Sequence, residues 1–190
     1  MTESAKLSNR GAITRITLTA LFAALIAGGT FVSVPLPFSP VPIVLQNFFI
    51  VLSGLVLGPG LGGAAAALYL AAGALGAPVF AGAAGGIAHF AGPTGGFLVG
   101  YLLAALTAGF IAGKTTAGNS GGLARIILAA AAGFLVIYVP GVLWLKHISG
   151  SWTAAFTMGF FPFLIGDVIK AAAAVSAAPR LRRVLAELDG

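Results

Sequence analysis

Between residues 16 and 113 the chain contains no Asp, Glu, Lys or Arg. Polar backbone and charged side chains are costly in hydrocarbon, so an uncharged stretch of that length reads as several membrane-spanning helices. The apolar runs predict six spans, over residues 12–34, 43–57, 61–75, 95–113, 123–145 and 153–177. At about 1.5 Å per residue the first easily crosses a hydrocarbon core of about 30 Å, whereas the second and third are short. The expected fold is therefore an all-α membrane protein, a six-helix transmembrane bundle with structured outer loops, forming one integral membrane domain over residues 1–190.

The connections carry the punctuation. Pro35, Pro37, Pro40 and Pro42 make the stretch after the first span extended and stiff. Gly58-Pro59-Gly60 is a tight turn, and 115–122 is a polar turn of ordinary type. Residues 76–94 form a long, uncharged, Gly-rich loop bounded by Pro78 and Pro93. Such a loop packs on the protein as a lid.

Composition narrows the class. The chain is 59% hydrophobic and 7% charged, against about a quarter charged in soluble domains, which excludes an ordinary soluble fold. Its 28 glycines and 10 prolines suit close helix packing and ordered loops. The absence of cysteine removes disulfides, thiolate nucleophiles and cysteine-based metal sites.

A net charge of +6 raises the question of nucleic acid, but the basic residues flank the apolar runs and form no stripe interleaved with aromatics. With the N-terminus in the cytoplasm, Lys6, Arg10, Arg15, Lys114, Arg125, Arg180, Arg182 and Arg183 fall inside and Lys146 falls outside. That positive-inside bias predicts an even number of spans with both termini cytoplasmic in the cell membrane. The N-terminal basic residues ahead of an apolar run resemble a signal peptide, but the run continues to Val34 and is read as a retained helix. The proline segment and the 76–94 loop then share the outer face, as a roof over a pocket.

Asp167 and Lys170 stand in the middle of the last apolar run, three residues apart and so on one helix face, with Ile165 and Ile169 off it. Charges at bilayer depth cost several kcal/mol even by lenient scales, so a pair kept there is a functional-site candidate ahead of a merely neutralising ion pair. His89 lacks neighbouring metal ligands and reads as a polar loop residue, and His147 beside Lys146 as an interfacial one. With Asp167 the one carboxylate inside a span, catalytic chemistry has almost no raw material, and no enzyme, metal or cofactor is expected. The run from Gly109 to Thr115 has three residues between its glycines, one short of a phosphate loop. Ala20/Ala24, Ala23/Ala27, Gly92/Gly96 and Gly96/Gly100 are small-residue pairs at a spacing that admits a close helix neighbour, within the chain or outside it. Tyr69, Phe80, Tyr101, Tyr138 and Trp152 serve as packing or interface anchors, or stack on a ligand.

Four segments together resemble the BioY family, the biotin-binding membrane subunits (S components) of energy-coupling-factor vitamin transporters. They are Pro35 to Pro42 followed by Gln46; Leu68-Tyr69-Leu70 leading into Gly76-Ala-Pro78-Val-Phe80-Ala-Gly82; Gly92-Pro-Thr94-Gly-Gly96; and Gly166-Asp167-Val-Ile-Lys170. Ala83-Ala84 departs from the glycine-rich loop the family leads one to expect. The resemblance implies six helices and biotin bound near the outer face, under the loops between helices one and two and helices three and four. It places Asp167 and Lys170 in the binding site, with Gln46, Tyr69 and Thr94 as neutral hydrogen-bonding groups and Phe80 and Tyr138 as apolar walls. Lys170 then pairs with the biotin carboxylate, and Asp167 either meets the ureido N–H groups or orients the lysine. It also implies a docking face on helix one, at Ala20 and Ala24, for a transmembrane coupling subunit, with ATP hydrolysis left to separate ATPase subunits. The competing class is a self-sufficient secondary transporter with Asp167 as proton carrier, against which stands the lack of a clear inverted repeat.

Overall fold

In the computed structural model, which describes residues 3–113 and 122–188 (side chains for 11–113 and 122–187), the uncharged run folds into helices joined by ordered connectors. Helix α1 (Glu3–Phe31) leads into an antiparallel hairpin of β1 (Ser33–Leu36) and β2 (Ser39–Val44). Then come α2 (Gln46–Ala74), a 3-10 turn at Ile87–Ala91, and α3 (Gly95–Ala112). The chain ends with α4 (Leu123–Ser149), α5 (Trp152–Gly159), a second 3-10 turn at Phe161–Phe163, and α6 (Leu164–Leu188). Lys114 and the expected polar turn lie outside the described residues, save Gly122.

Among the described residues, five helices are long and apolar enough to cross a membrane: Gly11–Phe31, Gln46–Ala74, Gly95–Ala112, Leu123–Ser149 and Trp152–Glu187. Six separate spans are thus not what the helix count returns. The expected spans 43–57 and 61–75 fall into the single element α2, whose backbone breaks at Gly58 (φ 76°, ψ 179°) just before Pro59. Glycine takes that φ without steric cost, and proline starts a new helical turn without needing its missing N–H. The break reverses the chain. Gln46 Nε2 donates to the Tyr69 hydroxyl at 2.7 Å across 23 residues, which a straight helix would hold about 34 Å apart. The halves 46–57 and 59–74 therefore run antiparallel. The last expected span, 153–177, is divided into α5, the Phe161–Phe163 turn around Pro162, and α6.

The proline stretch is more ordered than an extended strap. It pairs as a hairpin with Ser33 opposite Val44 and Leu36 opposite Ser39, and a two-stranded ribbon has free edges where proline's missing N–H does no harm. Leu45 N–H to Val32 C=O closes its base, and the Ser39 hydroxyl, donating to Met158 C=O at 2.6 Å, ties it to α5.

Glycines let α2, α3 and α4 approach one another closely. A Cβ on Gly54 would stand 2.3 Å from Ala105 O, and one on Gly109 only 2.4 Å from Pro59 N. Gly96 and Gly100 face α4, where a Cβ would meet Pro140 O at 2.2 Å and Ile137 O at 2.7 Å, so this small-residue pair serves packing inside the chain. On α1, Ala23 is buried while Ala20 and Ala24 are exposed. Basic residues separate by end. Arg182, with 0% exposure, donates to Gly113 C=O at 2.8 Å, and Arg125 to Ile111 C=O, so two guanidiniums cap the C-terminus of α3. Lys146 lies at the opposite end, 5.7 Å from the Trp152 ring centre.

Candidate functional site

The N-terminus of α2 begins with two consecutive polar side chains, Gln46 and Asn47, both buried. Successive helical residues point about 100° apart, and these two feed different networks. Gln46 Oε1 accepts from the Thr30 hydroxyl at 2.8 Å, and its Nε2 donates to Tyr69. That network links α1 to both halves of α2.

Asn47 joins the ionic network. Asp167 (6% exposed) accepts from Asn47 Nδ2 and Lys170 Nζ on one oxygen, each at 2.9 Å, and from the Tyr138 hydroxyl on the other. Lys170 Nζ also donates to Asn47 Oδ1 at 2.9 Å and to Val44 C=O at 2.8 Å. An ammonium has three donors and all three are used inside the protein. A carboxylate offers about four acceptor positions, of which three are filled. One acceptor position therefore remains, on the oxygen shared with Tyr138. Ile165 and Ile169 are exposed, off the paired face as expected.

Above this floor lies an aromatic and loop-built cap. Phe80 (1% exposed) packs edge-on against Tyr69 at 5.7 Å and carries the His89 ring stacked on it at 5.6 Å. Phe80 and Ala84 exchange backbone hydrogen bonds around a tight loop, in which Ala83 adopts φ 55°. Glycine takes that conformation freely and alanine only at some cost, so the departure from a glycine-rich loop is absorbed as local strain. Between this loop and the hairpin opens a cleft of about 560 Å³, lined by Ser33, Ser39, Pro35, Pro40, Pro42, Ala81, Gly82, His89 and Thr94. Ligand pockets typically enclose about 300–1,000 Å³.

Two cavities of about 20 Å³ each continue inward from the cleft. The upper one shares Pro42, Ala81 and Thr94 with the cleft and is also lined by Gln46, Phe80 and Tyr101. The lower shares Val41, Pro42, Val44, Phe97 and Tyr101 with the upper, and reaches Asn47, Tyr138 and Asp167. Each has room for about one water. The hairpin residues Val41, Pro42 and Val44 wall both.

The structure thus gathers Gln46, Phe80, Thr94, Tyr138 and Asp167 along one line from the cleft to the floor. Tyr69 stands behind it, holding Gln46 and Phe80. Lys170 lines none of these spaces. Ala20 and Ala24 are on the outward face of α1. Sequence reasoning missed Asn47 and Thr30. A polar residue directly after Gln46 in an otherwise apolar run was a signal for Asn47; nothing marked Thr30 among its apolar neighbours. Tyr101, read as an anchor or stacking residue, lines both inner cavities.

Fold and site together define a multi-pass helical membrane protein with a ligand-sized cleft under ordered loops at one end of the bundle and a buried ionic floor beneath it. The model of the BioY family matches residues 1–187, and the chain belongs to that family. A probable biotin transporter of Pyrococcus horikoshii is 44% identical over 167 residues, covering 88% of this chain and 95% of that protein. A biotin transporter of Thermotoga maritima is 40% identical with the same coverage. The crystal structure of an S-component for biotin from an ECF-type ABC transporter superposes with a TM-score of 0.81 at 32% identity, over 96% of this chain and 95% of that one.

Proposed function

We propose that this protein is the biotin-capturing membrane subunit of an energy-coupling-factor transporter, taking biotin from outside the cell for import driven by partner ATPase subunits. The observation that carries the reading to a site is the line of three spaces running from the cleft to Asp167, walled by both outer connectors. Biotin has a ureido group with two N–H donors and a carbonyl, an apolar sulfide ring, and a carboxylate on a flexible tail. An acceptor-rich floor, aromatic walls and an open mouth suit those parts in that order.

In this reading the ureido N–H groups meet the unfilled acceptor position of Asp167 and the Tyr138 oxygen, and Tyr101 donates to the ureido carbonyl. Lys170, with its three protons committed, orients Asp167 and Asn47 and leaves the ligand carboxylate to other groups. Gln46, Tyr69, Phe80 and Thr94 shape the walls. The inner cavities are too small for the ligand as they stand, so binding moves the hairpin, whose residues wall both of them.

Counting the two antiparallel halves of α2 separately, the chain makes six passes through the cell membrane with both termini in the cytoplasm. The exposed Ala20/Ala24 face of α1 then receives the transmembrane coupling subunit. The protein itself carries out no catalysis. Uptake of labelled biotin tests the reading in cells that lack their own biotin transport. Uptake that requires the coupling and ATPase subunits and survives a protonophore supports it. Full uptake by this chain alone, abolished by the protonophore, contradicts it in favour of proton coupling through Asp167.

A further inference from the structure

We propose that His89 is the residue by which the site distinguishes a free carboxylate from a neutral end group, binding the carboxylate of the ligand tail at the mouth of the outer cleft. This rests on the biotin reading above and assigns a group that reading leaves unpaired.

Two observations converge. The first is that Lys170, the obvious partner for an anion, is spent: its three donors go to Val44 C=O, Asn47 Oδ1 and Asp167 Oδ1, and it lines none of the ligand spaces. Redirecting it to a carboxylate would leave buried acceptors unmet, which costs more than a new bond returns. The second is that, among the described residues, the 560 Å³ cleft has one ionisable side chain in its lining, and that is His89. The other described cations lie elsewhere. Lys146 stands over Trp152, Arg125 and Arg182 cap the far end of α3, His147 packs on Trp144, and Arg15, Arg180 and Arg183 line none of the three spaces.

His89 is also held as a recognition group would be. One face of its imidazole lies on the Phe80 ring, at 5.6 Å and 21° between planes, and Phe80 is in turn pinned by its backbone pairing with Ala84. Its own backbone N–H is bonded to Gly86 C=O at 3.1 Å. Stacking fixes the ring plane and leaves the N–H edge for a partner, at little cost in side-chain entropy on binding. The imidazole donates to a carboxylate in either protonation state. Thr94, on the same rim, adds a neutral hydroxyl. A ligand with its ureido group at Asp167 and its tail directed outward through the connected spaces brings its carboxylate to this rim.

The test compares biotin with biotinamide, which has the same rings and tail and no charge, by calorimetry on the purified full-length protein. His89→Phe keeps the ring stack on Phe80 and removes the N–H; His89→Gln restores a donor without the ring. The expected result is biotin bound more tightly than biotinamide by wild type, and a loss of about ten-fold for biotin in His89→Phe, the usual scale for a hydrogen bond to a charged group. Biotinamide, whose amide oxygen also accepts a hydrogen bond but carries no charge, loses clearly less in that variant; its retained binding certifies the fold, and His89→Gln recovers part of the biotin affinity. An equal loss for both ligands, or no loss for biotin, overturns the assignment while leaving the biotin site standing. Failure of wild type to bind either ligand overturns the site reading and this inference with it.

Discussion

Removing the Asp167 carboxylate and removing the Lys170 ammonium have different physical consequences, although the two groups form one ion pair at 2.9 Å. Asp167→Asn keeps the side-chain shape but withdraws the acceptor proposed for the ureido N–H groups, so biotin affinity falls by about ten-fold or more in calorimetry. Lys170→Ala leaves a buried carboxylate without its counter-charge and frees the Val44 carbonyl at the junction of hairpin and α2. Breaking one partner of a buried pair costs about 3–5 kcal/mol. This variant is therefore expected to melt at a visibly lower temperature in detergent besides binding poorly. Normal binding by both variants would remove Asp167 and Lys170 from the site. The pair was legible in the sequence because charge inside an apolar run is conspicuous. Its division of labour was not, since the partners that occupy Lys170 are a backbone carbonyl and Asn47, 126 and 123 residues away along the chain.

Among the elements, the β1–β2 hairpin carries the consequence most open to measurement. Its Ser39 hydroxyl holds Met158 C=O at 2.6 Å and is the bond that fastens the lid to α5. Ser39→Ala should loosen the lid and speed biotin release several-fold, read as tracer dissociation, with a smaller effect on association. An unchanged dissociation rate would mean the hairpin does not gate the site. The α2–α3 seam predicts a stability effect instead. A valine at Gly109 drives its Cβ into Pro59 N at 2.4 Å, backbone that cannot yield cheaply, so Gly109→Val should lower the melting temperature sharply. The same elements mark what sequence reasoning resolves. Apolar runs place α1, α3 and α4 within a few residues at most ends, because hydrocarbon length is written in composition. The Gly58-Pro59-Gly60 turn was equally plain, and the helical backbone breaks there, at Gly58. Pairing within the proline stretch was hidden, since prolines argue against strands and only the free edges of a two-stranded ribbon excuse them.

At the scale of the whole molecule, charge predicts the orientation. The described arginines at the Gly113 end and Lys146 at the cleft end agree with a cytoplasmic side opposite the cleft. With no native cysteine, single substitutions report the sidedness directly. Ser149→Cys, exposed at the last residue of α4, should react with a membrane-impermeant maleimide on intact cells, and Ser8→Cys only after permeabilisation; the reverse pattern would invert the topology. A capture subunit also makes a demand that no single helix meets. The hairpin, the 76–94 loop, Tyr138 of α4 and Asp167 of α6 must converge on one ligand, and the line of spaces from the cleft to the floor is where they do. The most direct measurement is calorimetric titration of biotin into the purified protein alone, freed of any biotin that travels with it. Saturable binding of one biotin per chain, weakened about ten-fold or more in Asp167→Asn, is the predicted result. Folded, ligand-free protein that takes up no biotin would contradict the account.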